Sequence, residues 1–237
     1  MSGSDQTLLA GRHALVVGDD EIGCGIAERL RRAGAGIETL PLSDPQALAA
    51  GIGAELDVLV LNVLPAAEAA PLATAAPAAT EHALARVALA QRLMQACLPA
   101  LRVRGGRILL IGHRYGEAIN EGLAAYNCAA WALVGLMRTA AIEWGARQIT
   151  TNLVLPLADT TEFRAALSQR PRVLEQLIAQ LPLGRVGCPL EDVGGAVAFL
   201  ASDAAAFING EIVYADGGQH VAGPVLNPCR FMARTGN

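Results

Sequence analysis

The sequence lacks the features that bring a protein to nucleic acid or into a membrane. It has no run rich in lysine and arginine, and its net charge is −4 with a pI of about 5.6. A nucleic-acid or anionic-membrane partner is therefore not expected. The apolar stretch from Val58 to Thr80 is interrupted by three prolines, so it cannot form one membrane-spanning helix. The polar beginning of the chain has no apolar signal core.

Paired cysteines and metal-binding clusters are also missing. The five cysteines are scattered and include no C-x-x-C pair, and the four histidines are scattered as well. This spacing is typical of free thiols in a reducing compartment. The sequence therefore predicts a cytoplasmic protein without a metal site. The cysteines are Cys24, Cys97, Cys128, Cys188 and Cys229.

Short apolar runs alternate with helical patterns along the whole chain. Such an order is typical of a parallel sheet covered by helices on both faces. No linker or repeat interrupts it, so one domain over residues 1–237 is predicted. The expected fold is a Rossmann-like, doubly wound α/β domain with about six parallel strands. Ligands bind such folds at the carboxyl ends of the strands.

Two long segments resemble the classical short-chain dehydrogenase/reductase family. They are "AAYNCAAWALVGL" at 124–136, which is similar to the family's active-site helix, and "LPLGRVGCPLEDVGGAVAFLASDAAAFINGEIVYADGG" at 181–218, which is similar to its closing segment. The resemblance implies a Rossmann fold, a nicotinamide cofactor and a tyrosine followed four positions later by a lysine. The chain departs from this pattern at several functional positions.

The first departures are in the loop that binds the cofactor's phosphates. The family sequence T-G-x-x-x-G-x-G is replaced by "VGDDEIGCGIA", so Gly18 remains, Glu21 takes the place of the middle glycine, and Asp19, Asp20 and Glu21 bring three carboxylates. Gly23 is interpreted as a packing residue and not as part of a phosphate cradle. Like charges about 4 Å apart repel by about 1 kcal/mol in water and about 4 kcal/mol at an intermediate dielectric. The acids are also interpreted as caps that complement the helix dipole. Both interpretations predict that no cofactor binds at this loop.

The second departures are at the adenosine end of the cofactor site. Pro41 occupies the position where the family holds the ribose with an acid or an arginine, and a proline side chain offers neither donor nor acceptor. Only 19 residues separate Ile37 from Asp57. This interval holds one short helix, predicted at 44–52, so one βα unit of the family is expected to be missing.

The third departures are in the catalytic set. Tyr126 is retained, but the lysine position is Ala130, the serine position is His113 and the asparagine position is near Arg86. A phenol with an ordinary pKa of ~10 is a poor base at neutral pH without a nearby cation. Tyr126 is therefore interpreted as a packing residue, or alternatively as an acid–base group paired with His113, whose imidazole can titrate near neutrality.

These departures predict a non-catalytic subunit that binds no cofactor itself. The resemblance implies that it supports an active, NAD-dependent homologue in a heterotetramer with two copies of each. It further suggests the non-catalytic subunit of a hydroxyacyl-CoA-type dehydrogenase of the benzylsuccinate pathway for anaerobic toluene breakdown. The alternative hypothesis is an oxidoreductase of this family, or a non-redox enzyme on the same fold, that uses Tyr126 and His113.

Overall fold

One sheet of six parallel strands forms the centre of the molecule. The computed structural model describes residues 7–42, 55–65, 69–101, 105–113, 121–168 and 171–222. The strands are β1 (His13–Val17), β2 (Gly36–Leu40), β3 (Val58–Leu61), β4 (Gly106–Ile111), β5 (Ile149–Pro156) and β6 (Ile212–Ala215). Their spatial order is β2-β1-β3-β4-β5-β6, and every neighbouring pair is parallel. The prediction of a six-stranded, Rossmann-like parallel sheet is confirmed.

Helices cover both faces of the sheet. They are α1 (Glu21–Arg32), α2 (Pro77–Leu101), α3 (Ala124–Gly145), α4 (Thr161–Leu167), α5 (Pro171–Ala179) and α6 (Gly194–Ala201). The helices α2 and α3 pack on one face, and α1 and α6 pack on the other. Within the described ranges, no helix is both long and apolar enough to cross a membrane.

The central strands are apolar because both of their faces are covered. Every residue of β3, β4 and β5 is buried, as is usual for a parallel sheet between two helical layers. Successive side chains point to opposite faces of a strand. In β5, accordingly, Leu153 and Leu155 join the core beneath α2 and α3, whereas Val154 joins the core beneath α1 and α6.

On the β2 side, this sheet ends earlier than a Rossmann sheet with more strands. The described residues contain no strand between Leu40 and Val58, so β2 is the edge strand and pairs only with β1. The helix predicted at 44–52 lies outside the described residues. The single-domain boundary of 1–237 stays a prediction.

Ion pairs occupy the amino-terminal edge of the sheet. The buried Asp57 carboxylate lies 3.4 Å from Arg12 Nη1 and accepts a hydrogen bond of 2.8 Å from the His13 backbone N–H. Arg12 also pairs with Asp203, and Arg107 lies 3.5 Å from the same carboxylate. Burial lowers the pKa of the Arg107 guanidinium. These charged groups already pair with one another within the fold. A binding site is therefore expected at the opposite edge of the sheet.

Candidate functional site

A cavity of about 650 Å3 opens at the carboxyl ends of the strands. This volume lies within the range of about 300–1,000 Å3 that is typical of small-molecule sites. The first turn of α1, the ends of β3, β4 and β5, the start of α3 and the helix α4 form its walls. Its polar or titratable lining residues are Asp19, Asp20, Glu21, Asn62, His113, Tyr126, Thr160, Thr161 and Glu162, and its apolar lining residues include Ile22, Leu64, Pro65, Leu123, Pro156, Phe163 and Leu167.

Tyr126 lies in the first turn of α3 and faces this cavity. Its side chain packs with Leu123 and Ala130 and is only 5% exposed. Within the described residues its hydroxyl makes no hydrogen bond. Burial raises the pKa of the Tyr126 phenol well above its ordinary value, so the phenol is protonated at neutral pH. Because the phenol lines an open cavity and its hydroxyl has no partner among the described residues, this hydroxyl is available to a ligand.

His113 lies next to Tyr126. It comes two residues after β4, is half-buried, and lines the same cavity. The two rings meet edge to face, with centroids 6.2 Å apart and an interplanar angle of 90°. The pairing suggested by the sequence is therefore present as a ring contact at the site.

Within the described residues, no arginine lines the cavity beside the phenol. Ala130 is buried one turn after Tyr126, on the same face of α3. Arg86 is half-buried on α2, which contributes no residue to the described cavity lining, so the structure does not bring it into the site. All 18 basic residues of the chain are arginines. No lysine elsewhere in the sequence can therefore replace the missing ammonium group.

The turn between β1 and α1 is held by Gly18, Asp20 and Asn62. Gly18 has a φ of +120°, and a Cβ there would lie 2.6 Å from the Asn62 carbonyl oxygen. The Asp20 Oδ1 atom caps α1 by accepting from the Gly23 N–H at 2.8 Å, and it also accepts from Asn62 Nδ2 at 2.8 Å. Gly23 packs against this turn, because a Cβ there would lie 2.2 Å from the Gly18 carbonyl oxygen.

Glu21 connects α1 to α4 across the mouth of the cavity. Its carboxylate accepts hydrogen bonds from the backbone N–H and the hydroxyl of Thr161, the latter at 2.6 Å. Arg164 Nη2 lies 3.7 Å from the same carboxylate. The hydrogen bond from the Thr161 hydroxyl is the main cause that lowers the pKa of Glu21. Pro41 is the remaining predicted site residue. It is exposed just after β2 and does not line the described cavity.

Sequence reasoning missed Thr161 and Asn62 as site residues. Thr160 caps α4 by accepting from the Phe163 N–H at 3.1 Å, and this Thr-Thr-Glu sequence before an apolar segment is a recognisable helix start. Asn62 follows the buried strand β3 at the edge where ligands bind. The sequence pattern could therefore have identified Thr161 and Asn62 as site residues, but it could not have identified their hydrogen-bond partners.

Comparison with known proteins assigns the chain to a family. Residues 45–220 match the family model adh_short_C2, described as enoyl-(acyl carrier protein) reductase. The chain belongs to the short-chain dehydrogenase/reductase family. One curated relative in the family is the 3-oxoacyl-[acyl-carrier-protein] reductase FabG of Escherichia coli, which is 40% identical over 131 residues, or 55% of this chain and 52% of FabG. The chain thus spans about half the length of the curated relatives it matches.

Solved structures of the family resemble nearly the whole chain. A gluconate 5-dehydrogenase from Burkholderia cenocepacia in complex with NADP and tartrate has a TM-score of 0.81 and 25% identity, covering 93% of this chain and 99% of that one. A structure described as a dehalogenation enzyme has a TM-score of 0.81 and 28% identity, covering 90% and 99%.

These findings contradict two predictions made from the sequence. The chain was expected to be a non-catalytic subunit and to bind no cofactor, yet its relatives are reductases and dehydrogenases, and structures of this fold contain NADP. The physical reason is that replacement of the motif residues has not filled the site. The cavity remains open, and Tyr126 still faces it.

A nicotinamide dinucleotide fits the two ends of the cavity unequally. The amino end of α1 offers the positive dipole end that a diphosphate requires, whereas Gly18 is in close contact with Asn62 and does not line the described cavity. The volume beside Tyr126 and Pro156 has room for a flat ring. At α1, however, the Asp20 carboxylate already accepts from the Gly23 N–H, and the Glu21 carboxylate adds a second negative charge in the first turn. The fit is therefore good at the Tyr126 end and poorer at the phosphate end.

Proposed function

We propose that this chain is an oxidoreductase of the short-chain dehydrogenase/reductase type, acting on a carbonyl or alcohol substrate with a nicotinamide nucleotide. The observation that carries the proposal is Tyr126, a residue only 5% exposed that lines the cavity and whose hydroxyl makes no hydrogen bond within the described residues. The first-turn amides of α1 would hold the nucleotide's diphosphate. When bound, the nicotinamide supplies or accepts the hydride.

The residues of the chain determine the proton transfer. In the direction of reduction, the substrate carbon gains a hydride, and the oxygen takes the proton of Tyr126. The raised pKa of the phenol keeps this proton in place at neutral pH, so Tyr126 is in the form that can donate it. His113, in edge contact with Tyr126, is the group that can return a proton to the phenolate. The apolar walls formed by Leu64, Leu123 and Phe163 exclude water from the reacting oxygen.

Substitution of Tyr126 by phenylalanine tests this proposal. Oxidation of NADPH and NADH, followed at 340 nm with 3-oxoacyl thioesters and simple ketones, should fall by about 100-fold or more, the usual effect of losing a general acid. Tyr214→Phe is the matched control, because Tyr214 lies on β6 and stacks on His220 away from this cavity. Equal activity of Tyr126→Phe and wild type, or failure of both cofactors to bind, would overturn the proposal.

A non-redox reaction at the same Tyr126–His113 pair is the second candidate function. It is favoured by the absence of a cationic partner at Ala130 and by the similarity to a structure described as a dehalogenation enzyme. Substrate turnover measured with and without nucleotide separates the two candidates. Turnover that requires Tyr126 but is unaffected by nucleotide would support the non-redox reaction.

Assembly and location are further parts of the proposal. A heterotetramer with a homologous subunit, two copies of each, and a cytoplasmic location remain proposals. Trp131 and Ile142 on α3 and Leu84 on α2 support an interface, because these large apolar side chains are exposed. Co-expression with a homologous chain, purification through a tag on this chain and sedimentation of the product measure the stoichiometry. A monomer in solution would refute the tetramer.

A further inference from the structure

Glu21 ties two walls of the cavity together across its mouth. It is the first residue of α1, and its carboxylate reaches both donors of Thr161, the first residue of α4. The two residues are 140 positions apart in the sequence. Arg164 strengthens the connection, because its guanidinium lies 3.7 Å from Glu21 and donates at 3.2 Å to the Thr161 hydroxyl.

This contact fixes one wall of the cavity. Phe163 and Leu167 of α4 line the cavity, and so does Thr160 directly before the helix. The helix has only seven residues and contacts the nine-residue helix α5. Its position over the cavity therefore depends on the hydrogen bonds at its first residue. Loss of the Glu21 carboxylate would free the helix from α1 without removing any apolar contact.

The same carboxylate lies where an anionic ligand would bind. The amino end of α1 carries the positive end of the helix dipole and attracts anions, and Glu21 with Asp20 supplies that negative charge from within the chain. Glu21 is ionised at neutral pH, because hydrogen bonds from Thr161 lower its pKa. A diphosphate arriving at this helix end meets the like charge of Glu21, whose side chain is 46% exposed and therefore partly screened by water.

We infer that Glu21 sets the nucleotide affinity of this chain: it competes with the diphosphate for the end of α1 and releases α4 when it is displaced. This inference rests on the proposed function, since it concerns the nucleotide of the same site. It assigns Glu21 a role in specificity. A ligand that places no negative charge at α1 leaves the Glu21–Thr161 contact intact, whereas a dinucleotide must break it.

Four variants test the inference. Glu21→Gln removes the charge but keeps an acceptor for Thr161, and Glu21→Ala removes both. Glu162→Gln is the matched control, because Glu162 also lines the cavity and lies next to Thr161 but makes no hydrogen bond or ion pair within the described residues. Thr161→Val removes the hydroxyl donor and leaves the charge of Glu21 in place. Far-UV circular dichroism and thermal unfolding establish that each variant is folded.

Calorimetry with NADPH is the first measurement. Glu21→Gln should bind NADPH about five- to tenfold more tightly than wild type, the size expected from relief of one like-charge contact in a partly hydrated site. Glu162→Gln should change the affinity less than about twofold, because its charge lies farther from the end of α1. Thr161→Val should not gain affinity, because the opposing charge remains.

Amide hydrogen exchange is the second measurement and needs no activity. In the absence of nucleotide, exchange in the segment 161–167 should be faster in Glu21→Ala than in wild type or Glu162→Gln. Saturating NADPH should accelerate exchange of the same segment in wild type.

The outcomes separate the inference from the proposed function. If wild type binds NADPH and Glu21→Gln binds no more tightly, the inference about Glu21 is refuted while the proposed function stands. If no variant binds either cofactor, both are refuted. If exchange in α4 is unchanged in Glu21→Ala, the contact does not hold the helix, and the part of the inference that concerns α4 fails.

Discussion

Replacement of Gly18 by alanine tests the geometry of the turn that carries the candidate cofactor loop. Gly18 has a φ of +120°, and an added Cβ would lie 2.6 Å from the Asn62 carbonyl oxygen and 3.0 Å from the Asn62 Cβ. The backbone strain and the forced separation of β1 from β3 together cost about 2–4 kcal/mol. For a chain of this size, the melting temperature should fall by about 4–16 °C. The shift of Asn62 should also break its 2.8 Å hydrogen bond to Asp20.

Gly11→Ala is the control for the backbone contribution alone. Gly11 also has a positive φ, +74°, but a Cβ there would meet nothing within 4 Å. Its cost should be about 1–2 kcal/mol, since only the conformational penalty applies. Thermal unfolding followed by circular dichroism measures both variants. If Gly11→Ala and Gly18→Ala lose the same stability, close contact with Asn62 is not the reason that glycine occupies position 18.

Three further predictions concern Cys97, Asp192 and Ala130. Burial raises the pKa of the Cys97 thiol to about 12, so iodoacetamide at pH 8 should label the exposed Cys24, Cys128 and Cys188 and spare Cys97, as read by mass spectrometry of peptides. Hydrogen bonds from Arg185 lower the pKa of Asp192. The Asp192→Asn variant should therefore lose about 0.5–1 kcal/mol at pH 7. Urea unfolding should show this difference disappearing as the pH falls through the depressed pKa; a constant difference would contradict the assignment. Ala130→Lys should lower the melting temperature, because it buries an ammonium group among apolar side chains, and should shift the Tyr126 phenol titration at 295 nm to lower pH. An unshifted titration would mean that the two side chains do not meet.

The sheet was predictable because its determinants are local. The apolar runs of β3, β4 and β5 need no partner to be recognised as buried strands, and the short interval after β2 limits what can follow it. The neighbourhood of His113 and Tyr126 was also predictable. One residue follows a central strand and the other begins the next helix, so both reach the same edge of the sheet.

The contacts that close the site were not predictable from the sequence alone. Glu21 was interpreted as an acid that complements a helix dipole, which is a local property. Its hydrogen bonds to Thr161 depend on how two loops 140 residues apart approach each other. The placement of Arg86 depended on the alignment of a long helix with few distinctive residues. In the structure this side chain lies away from the described cavity.

The apolar helix residues illustrate a second limit. The periodic apolar residues of α2 and α3 predict a buried face on each helix, and Leu93, Met94, Leu133 and Met137 are buried against the sheet within this chain. Periodicity identifies which face of a helix is buried and does not identify its partner. The exposed Trp131 and Ile142 are the residues that remain available to another subunit.

The error about function has a related physical cause. Loss of a lysine, a serine and a glycine loop was taken as loss of the site, because each residue contributes binding energy or tunes a pKa. A site also needs a cavity of suitable volume and buried side chains around it. Many residues form these together, so no single motif shows whether they are present. Here the strand ends and α4 keep a cavity of about 650 Å3 open, and α3 holds a protonated phenol against it. A phenol whose pKa is raised is protonated at neutral pH, which is the form that carbonyl reduction requires. The first assay should therefore supply a reduced cofactor and a ketone.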